Sequence, residues 1–239
     1  LILVASGDIT MGGRTLPDGR IAYSGIEQPA AGAMSGLPNA PAKTDPLAGI
    51  RRLARQASGA GIKAVTGEVI VDDRLFPTSC VYSVKNPGMV IFHRSPIMIN
   101  DNLFDIVISP ARRGTPAVVD WRPRLLPLLQ VVSTVCTVAP DQTPRLKVIP
   151  SGFGKFLISG EIPEGHPPVV HETAIPDAAS YARALLIAAL RKEGVKVKAS
   201  PAVPNPSRRL PQREVYPRLV KVAELVSPPF SEYLRMILK

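Results

Sequence analysis

Aromatic residues make up only 5% of this chain, too few to build the stacking platforms that hold single-stranded nucleic acid. Cysteine occurs twice, at Cys80 and Cys136, with no Cys-x-x-Cys pair and no histidine at zinc-ligand spacing, which excludes a zinc finger or ribbon. Two lone cysteines fit either buried thiols or one disulfide made in an oxidising compartment. No apolar run approaches the roughly 18 residues of a membrane-spanning helix. Acidic residues are outnumbered, 19 against 29 Lys and Arg, and the resulting formal charge of +10 favours anionic partners: nucleic acid, a membrane surface or a cell-wall polymer. The positive residues are scattered, with the densest clusters at Arg51-Arg52, Arg112-Arg113 and Ser207-Arg-Arg209. Scatter of this kind reads first as a solvated surface.

The motifs of the common enzyme classes are missing as well. Ser151-Gly-Phe-Gly-Lys155 is too short for a phosphate loop and reads as a hairpin turn. No Gly-x-Ser-x-Gly elbow occurs. The three histidines, His93, His166 and His171, lack metal-ligand spacing, and the last two flank Pro167-Pro168 in what reads as a surface loop. Asp72-Asp73 could be a carboxylate pair, but neighbours in a strand point to opposite faces, so a turn is the better reading. Asn100-Asp-Asn102 resembles a fragment of a calcium loop without its later acidic ligands, and reads as an Asx-type turn. No metal, cofactor or catalytic residue is assigned.

What the chain does hold is proline, 26 of 239 residues, which favours many short elements, and 45% hydrophobic residues, enough for a real core. Leu1-Ile-Leu-Val4 reads as a buried strand. Residues 11–44 carry ten Gly and Pro and form a long loop, either an excursion from the fold or a partly disordered arm. Asp45-Pro46 opens a helix with the stripe Leu47, Ile50, Leu53, Ala54, closed by Gly59 or Gly61. A strand over Gly67–Asp72 follows. Asp177 caps a second helix through Tyr181, Leu185, Ala188 and Leu190, stopped by Gly194 before the strand Val195–Val197. Ser58-Gly-Ala-Gly-Ile-Lys63 and Arg191-Lys-Glu-Gly-Val-Lys196 share one grammar: helix, Gly, β-branched residue, Lys, strand. They predict matching halves of one layered α/β domain. Between them Met89–Phe92, Phe104–Ser109, Ala117–Trp121, Gln130–Val138, Arg145–Ile149 and Lys155–Gly160 read as short strands. The expected architecture is therefore mixed α+β. A discontinuous α/β domain covers 1–74 and 145–226, and a β-rich subdomain is inserted over 75–144. A helix over 227–239 has Ser227 as its N-cap and Pro228 in its first turn, and carries Phe230, Tyr233, Leu234 and Ile237. With a strand at one end and an unclosed helix at the other, the chain reads as a piece of a longer protein.

The order of several segments is informative. Ser6-Gly-Asp8 comes first, then Gly61–Phe76 and Ser95-Pro-Ile-Met-Ile-Asn-Asp-Asn102. Gly160-Glu-Ile-Pro163, Pro176–Leu185 and Ser227–Lys239 follow. In this order they resemble the class C low-molecular-mass penicillin-binding proteins, the D-alanyl-D-alanine carboxypeptidase/endopeptidase family of bacterial cell walls. The resemblance covers nearly the whole chain outside Met11–Thr44. It implies the inserted region of a penicillin-binding, transpeptidase-like fold. It also implies a serine peptidase that acts on peptidoglycan stem peptides through an acyl-enzyme, binds β-lactams and works outside the cytoplasm behind a signal peptide. Nucleic acid is not among the partners it implies. The family's Ser-x-x-Lys, Ser-x-Asn and Lys-Thr-Gly motifs are absent here, and Lys43-Thr-Asp45 is no substitute. The chain thus falls between the first and second motifs and is expected to be a non-catalytic scaffold. The alternative is a basic binding module for an anionic cell-wall polymer or nucleic acid.

Overall fold

Apolar residues at helical spacing and β-branched runs broken by Pro and Gly build two units, seen in a computed structural model that describes residues 1–22, 44–85, 88–124, 130–151 and 155–238. The first unit comprises Leu1–Leu103 and Ala174–Lys239, and the second Phe104–Thr173. The architecture is mixed α/β, with several small sheets and few helices.

In the first unit, β1 (Ile2–Val4) and helix α1 (Ala48–Gly59) come first. The short strands β2 (Ala64–Val65) and β3 (Ile70–Asp72) follow, then the hairpin of β4 (Ser79–Lys85) and β5 (Gly88–Arg94). β1 runs parallel to β3, with Leu3 opposite Val71. Ile50, Leu53, Ala54 and Ala57 bury one face of α1, as the stripe predicts. Asp45 does not cap α1 directly. Its carboxylate accepts from the Leu47 N–H at 3.0 Å and its carbonyl from the Ala48 N–H at 3.0 Å, so Asp45 closes a turn ahead of the helix, which starts at Ala48.

The second unit opens on β6 (Leu103–Ser109), β7 (Val118–Arg122), β8 (Gln130–Ser133) and β9 (Cys136–Val138). β10 (Arg145–Pro150), β11 (Lys155–Pro163) and β12 (Val169–Ala174) complete it. β11 is the hub: antiparallel to β10, parallel to β8 along its first half and to β9 along its second. The single strand expected over Gln130–Val138 is therefore two, interrupted where the Thr134 N–H donates to the Ile158 carbonyl and Val135 turns inward. β6 lies between β12 and β7 in a second sheet. Phe104, Ile106 and Ile108 point inward at period two and are buried, as are Ile158 and Ile162 of β11. The rings of Phe104 and Phe156 stack with centroids 5.4 Å apart. This unit starts later and ends later than the insertion expected over 75–144. The β4–β5 hairpin belongs with the first unit, and β10 through β12 belong with the second.

The first unit closes with α2 (Ala178–Lys192), β13 (Lys196–Val197) and α3 (Phe230–Ile237). Asp177 caps α2, accepting from the Ser180 N–H at 2.9 Å. α2 packs on α1 and is buried along most of its length, Leu190 completely. Each such leucine contributes about 1.5–3 kcal/mol by burial. The matching halves meet as their shared grammar predicts. β13 pairs parallel to β2, with Val197 beside Val65. α1 ends with the Ile62 N–H on the Ala57 carbonyl, and α2 with the Val195 N–H on the Leu190 carbonyl, each through a left-handed glycine, Gly61 at φ 91° and Gly194 at φ 81°.

Two further expectations change. α3 begins at Phe230, with Pro229 rather than Ser227 at its N-cap position. Two consecutive prolines hold the residues before them extended, so the helix starts only after both. In the loop expected over 11–44, Met11, Arg14 and Ile21 are buried and Thr15 is bridged to Ile21, while Pro17, Asp18 and Arg20 stay exposed. The remainder of that loop lies outside the described residues.

Candidate functional site

A cleft of about 800 Å³ runs along the β1 strand of the first unit. Leu1 to Ser6 form one wall, Leu53 and Ala57 of α1 with Leu186 and Leu190 of α2 form the floor, and the extended stretch from Leu219 to Leu225 forms the other wall. Most of this lining is aliphatic. Its polar residues are few: Ser6, Asp8, Tyr216, Lys221 and Glu224.

Two of them belong to built hydrogen-bond networks. Asp8 Oδ1 accepts from the Thr10 N–H and hydroxyl at 2.8 Å each and from the Tyr233 hydroxyl at 3.0 Å, so it ties α3 to the chain after β1. Its Oδ2 is buried with no hydrogen-bond partner among the described residues. Burial, with Asp8 adding its charge, raises the Tyr233 phenol above its ordinary pKa. A second clip reinforces the first. Glu232 accepts from the Ile21 N–H at 3.1 Å and pairs with Arg235 at 2.8 Å, and these bonds hold its carboxyl below the usual range.

At the other end, Tyr216 donates to Asp72 Oδ2 at 2.6 Å. Asp72 is fully buried and also takes the Arg74 guanidinium in a two-pronged pair at 2.8 and 2.9 Å, with Arg213 at 3.6 Å. The Arg74 and Tyr216 hydrogen bonds outweigh burial and hold the Asp72 carboxyl far below the usual carboxylate range. Asp73 goes the other way: burial raises it, and the charges of Asp177 and Asp72 add to the effect. The two neighbouring carboxylates therefore do different jobs. Asp72 ends β3 inside an ion-pair cluster, so the turn expected at Asp72-Asp73 comes later, at Arg74-Leu75.

Neither network makes proton-transfer machinery. The Tyr216 hydroxyl and the Asp72 carboxylate are occupied by each other, and the Lys221 ammonium is held by Glu224 at 2.9 Å. The cleft offers apolar surface with fixed polar ends.

The other residues singled out in the sequence fall elsewhere. Asn100, Asp101 and Asn102 form a tight turn with three successive left-handed residues, φ 50°, 55° and 53°. It is knitted internally: Asn102 donates to the His93 and Ile97 carbonyls, and Asp101 pairs with the buried Arg14. His93 Nδ1 lies 3.6 Å from Cys80 Sγ. His166 sits in the turn before β12 and donates to the Pro167 carbonyl, while His171 is on β12 itself, a strand that the Pro-Pro sequence disguises. Cys80 and Cys136 are free and exposed. The Ser151 N–H bonds the Lys155 carbonyl at 2.8 Å, and residues 152–154 between them lie outside the described residues. Lys43 of Lys43-Thr-Asp45 lies outside them too. Among the described residues no group of His, Cys, Asp and Glu is placed to hold a metal ion, and no helix is long and apolar enough to cross a membrane.

Two features carry no sequence signal. Arg183, at 1% exposure, bonds the carbonyls of Val69, Ser200 and Val203 and pairs with Glu68 at 3.2 Å. Asn205 bonds both backbone groups of Val71.

Similarity to known proteins is specific. Two solved structures of penicillin binding protein 4 (dacB) from Haemophilus influenzae resemble the chain. One aligns with a TM-score of 0.53 and 15% identity, covering 80% of this chain and 41% of its own. The other, complexed with a novel β-lactam, aligns with a TM-score of 0.44 and 18% identity, covering 62% of this chain and 31% of its own. The first likeness shows a shared penicillin-binding-protein-4 fold, and the chain spans no more than about two fifths of either protein. No curated protein sequence matches it. The family profile described as D-Ala-D-Ala carboxypeptidase 3 (S13) matches residues 1–239, end to end. The chain belongs to the D-Ala-D-Ala carboxypeptidase 3 (S13) family.

Proposed function

We propose that these 239 residues are the non-catalytic scaffold of a serine-type D-Ala-D-Ala carboxypeptidase and endopeptidase. The enzyme works outside the cytoplasm on peptidoglycan stem peptides and is acylated by β-lactams. The observation that carries the reading is the family match over the whole chain. Two others support it. The sequence holds no Ser-x-x-Lys, Ser-x-Asn or Lys-Thr-Gly, the set with which such enzymes acylate a serine. The cleft is a mostly apolar wall, and Tyr216, Lys221 and Glu224 among its few polar residues are already paired. In this reading the nucleophile and its bases come from sequence outside residues 1–239. The scaffold fixes where they sit and how the substrate reaches them.

The test is labelled penicillin on the full-length protein, followed by mapping of the modified peptide. The expected adduct is on a serine outside these residues, within a Ser-x-x-Lys motif. An adduct on any serine between Leu1 and Lys239 would overturn the scaffold assignment.

A further inference from the structure

We infer that the outward face of the β2–β13 ribbon is a docking surface for a linear polyol-phosphate polymer that carries no bases. In the parallel register Lys196 lies beside Ala64 and Val197 beside Val65. Val65 and Val197 are buried, so Lys196, Lys198, Ala64 and Thr66 all face solvent on one side. Two strand residues apart, the lysines stand about 7 Å from each other. Between them is a shallow, open depression of about 590 Å³, lined on its polar side by Arg191, Lys196 and Lys198 and floored by Ala64, Thr66 and Gly194. No carboxylate lines it.

Helix electrostatics explain only part of this charge. Arg191 and Lys192 stand in the last turn of α2, where cations complement the helix dipole. Arg191 also clamps the Val197 and Ala199 carbonyls at 3.0 and 2.9 Å. Lys196 lies beyond the helix on β13 and Lys198 just past it, with no ion-pair partner among the described residues. Lys63, the counterpart of Lys196 in the first helix–strand half, is exposed close by, and its carbonyl accepts the Lys196 N–H at 3.0 Å. Near this corner, Glu193 faces Arg55 at 3.9 Å. Like charges on one sheet face cost stability unless a counter-charge covers them.

The kind of partner follows from the chemistry. Lysine ammoniums bind phosphate as point charges, whereas planar carboxylate recognition favours the arginine fork. No aromatic residue lines the depression, so bases have nothing to stack on. An open, shallow site holds a single phosphate weakly. A polymer engages several cations at once and gains by releasing its counterions. Small residues between the lysines leave room for the polymer's own backbone. This inference is independent of the activity proposed above.

The test uses full-length protein and three probes: poly(glycerol phosphate), a 30-base-pair DNA duplex, and peptidoglycan stripped of phosphate polymers. The K196E/K198E variant is compared with R112E/R113E, which changes net charge equally on an exposed turn of the other unit. The expected result is salt-dependent binding of poly(glycerol phosphate) that K196E/K198E weakens by at least about tenfold. That variant should also flatten the salt slope by about 2. R112E/R113E should stay within about twofold of wild type, and both variants should keep the wild-type melting temperature and penicillin acylation. Equal losses in both variants would reduce the effect to net charge. Equal affinity for the DNA duplex, or binding to the stripped peptidoglycan alone, would overturn the choice of partner.

Discussion

Asn205 is the outer neighbour of Val71. Its Oδ1 accepts the Val71 N–H at 2.9 Å and its Nδ2 donates to the Val71 carbonyl at 2.8 Å, so one side chain does for β3 what another strand would do. The Asn205 N–H in turn donates to Ser180 Oγ at 2.7 Å, which anchors the segment to the start of α2. Val71 is completely buried, so its backbone groups have no other partner to hand when these bonds are lost. Asn205→Ala should therefore lower stability by about 2–4 kcal/mol, the cost of two unsatisfied buried backbone groups. Asn205→Asp keeps the acceptor and loses the donor, and should fall between the two. Urea midpoints at constant slope check both.

Asp72 carries the acid sensitivity of the same strand. Its folded-state pKa is depressed, so its contribution is complete above the ordinary carboxylate value, about 3.9, and fades as pH falls through the lower folded value. Asp72→Asn should cost about 2 kcal/mol at neutral pH. That is less than a fully buried pair would cost, because Arg74 and Arg213 remain partly exposed. The gap between wild type and variant should stay constant from about pH 5 to 8 and narrow below about pH 4. A gap that widened in acid would mean that Asp72 is not held ionised by Arg74 and Tyr216.

Gly61 and Gly194 test the internal match of the two halves. Both are left-handed, at φ 91° and 81°, and an added Cβ would meet nothing within 4 Å at either position. Only backbone strain then opposes a side chain. Gly61→Ala and Gly194→Ala should each cost about 1–2 kcal/mol, and asparagine at either site should cost less. Thermal unfolding of the four variants checks this. A large difference between the two sites would mean that the repeated Gly–β-branched–Lys grammar ends two unlike helices.

These cases also show what can be read from the linear chain. Asp177, Gly61 and Gly194 act on residues within five positions of themselves, and the helices they bound stand where periodicity places them. Phe104 to Ser109 alternates and becomes a strand. Val169–Ala174 does not alternate, carrying His171, Glu172 and Thr173 in succession, and it becomes a strand only because β6 lies beside it. Arg183 reads as an exposed helix residue until the Val69, Ser200 and Val203 carbonyls converge on it. Asn205 reaches Val71 across 134 positions. The cleft depends on the stretch from Leu219 to Leu225, which has no regular structure and so no periodic signal. Long-range partners, not local propensity, decide what stayed hidden.

The clip between Tyr233 and Asp8 sets how firmly α3 is held. The helix has eight residues and no side-chain cap, too short to persist by itself, so its order depends on what it is bonded to. Tyr233 supplies one bond to Asp8, and Glu232 a second to the Ile21 N–H. Tyr233→Phe keeps the ring and removes only the hydroxyl. Asp8 Oδ1 then retains the Thr10 bonds but loses one donor, a loss of about 1.5–3 kcal/mol for a charged acceptor. Because the other clip remains, the effect should be local. Amide exchange in Leu234 and Arg235 should quicken by at least about tenfold while α1 and α2 keep wild-type protection. In the wild type, ultraviolet titration should find Tyr233 ionising above the ordinary tyrosine range, since burial and the Asp8 charge both oppose the phenolate. A normal phenol pKa together with unchanged exchange in Tyr233→Phe would show that the Glu232 and Arg235 bonds to Ile21 hold the helix without Tyr233.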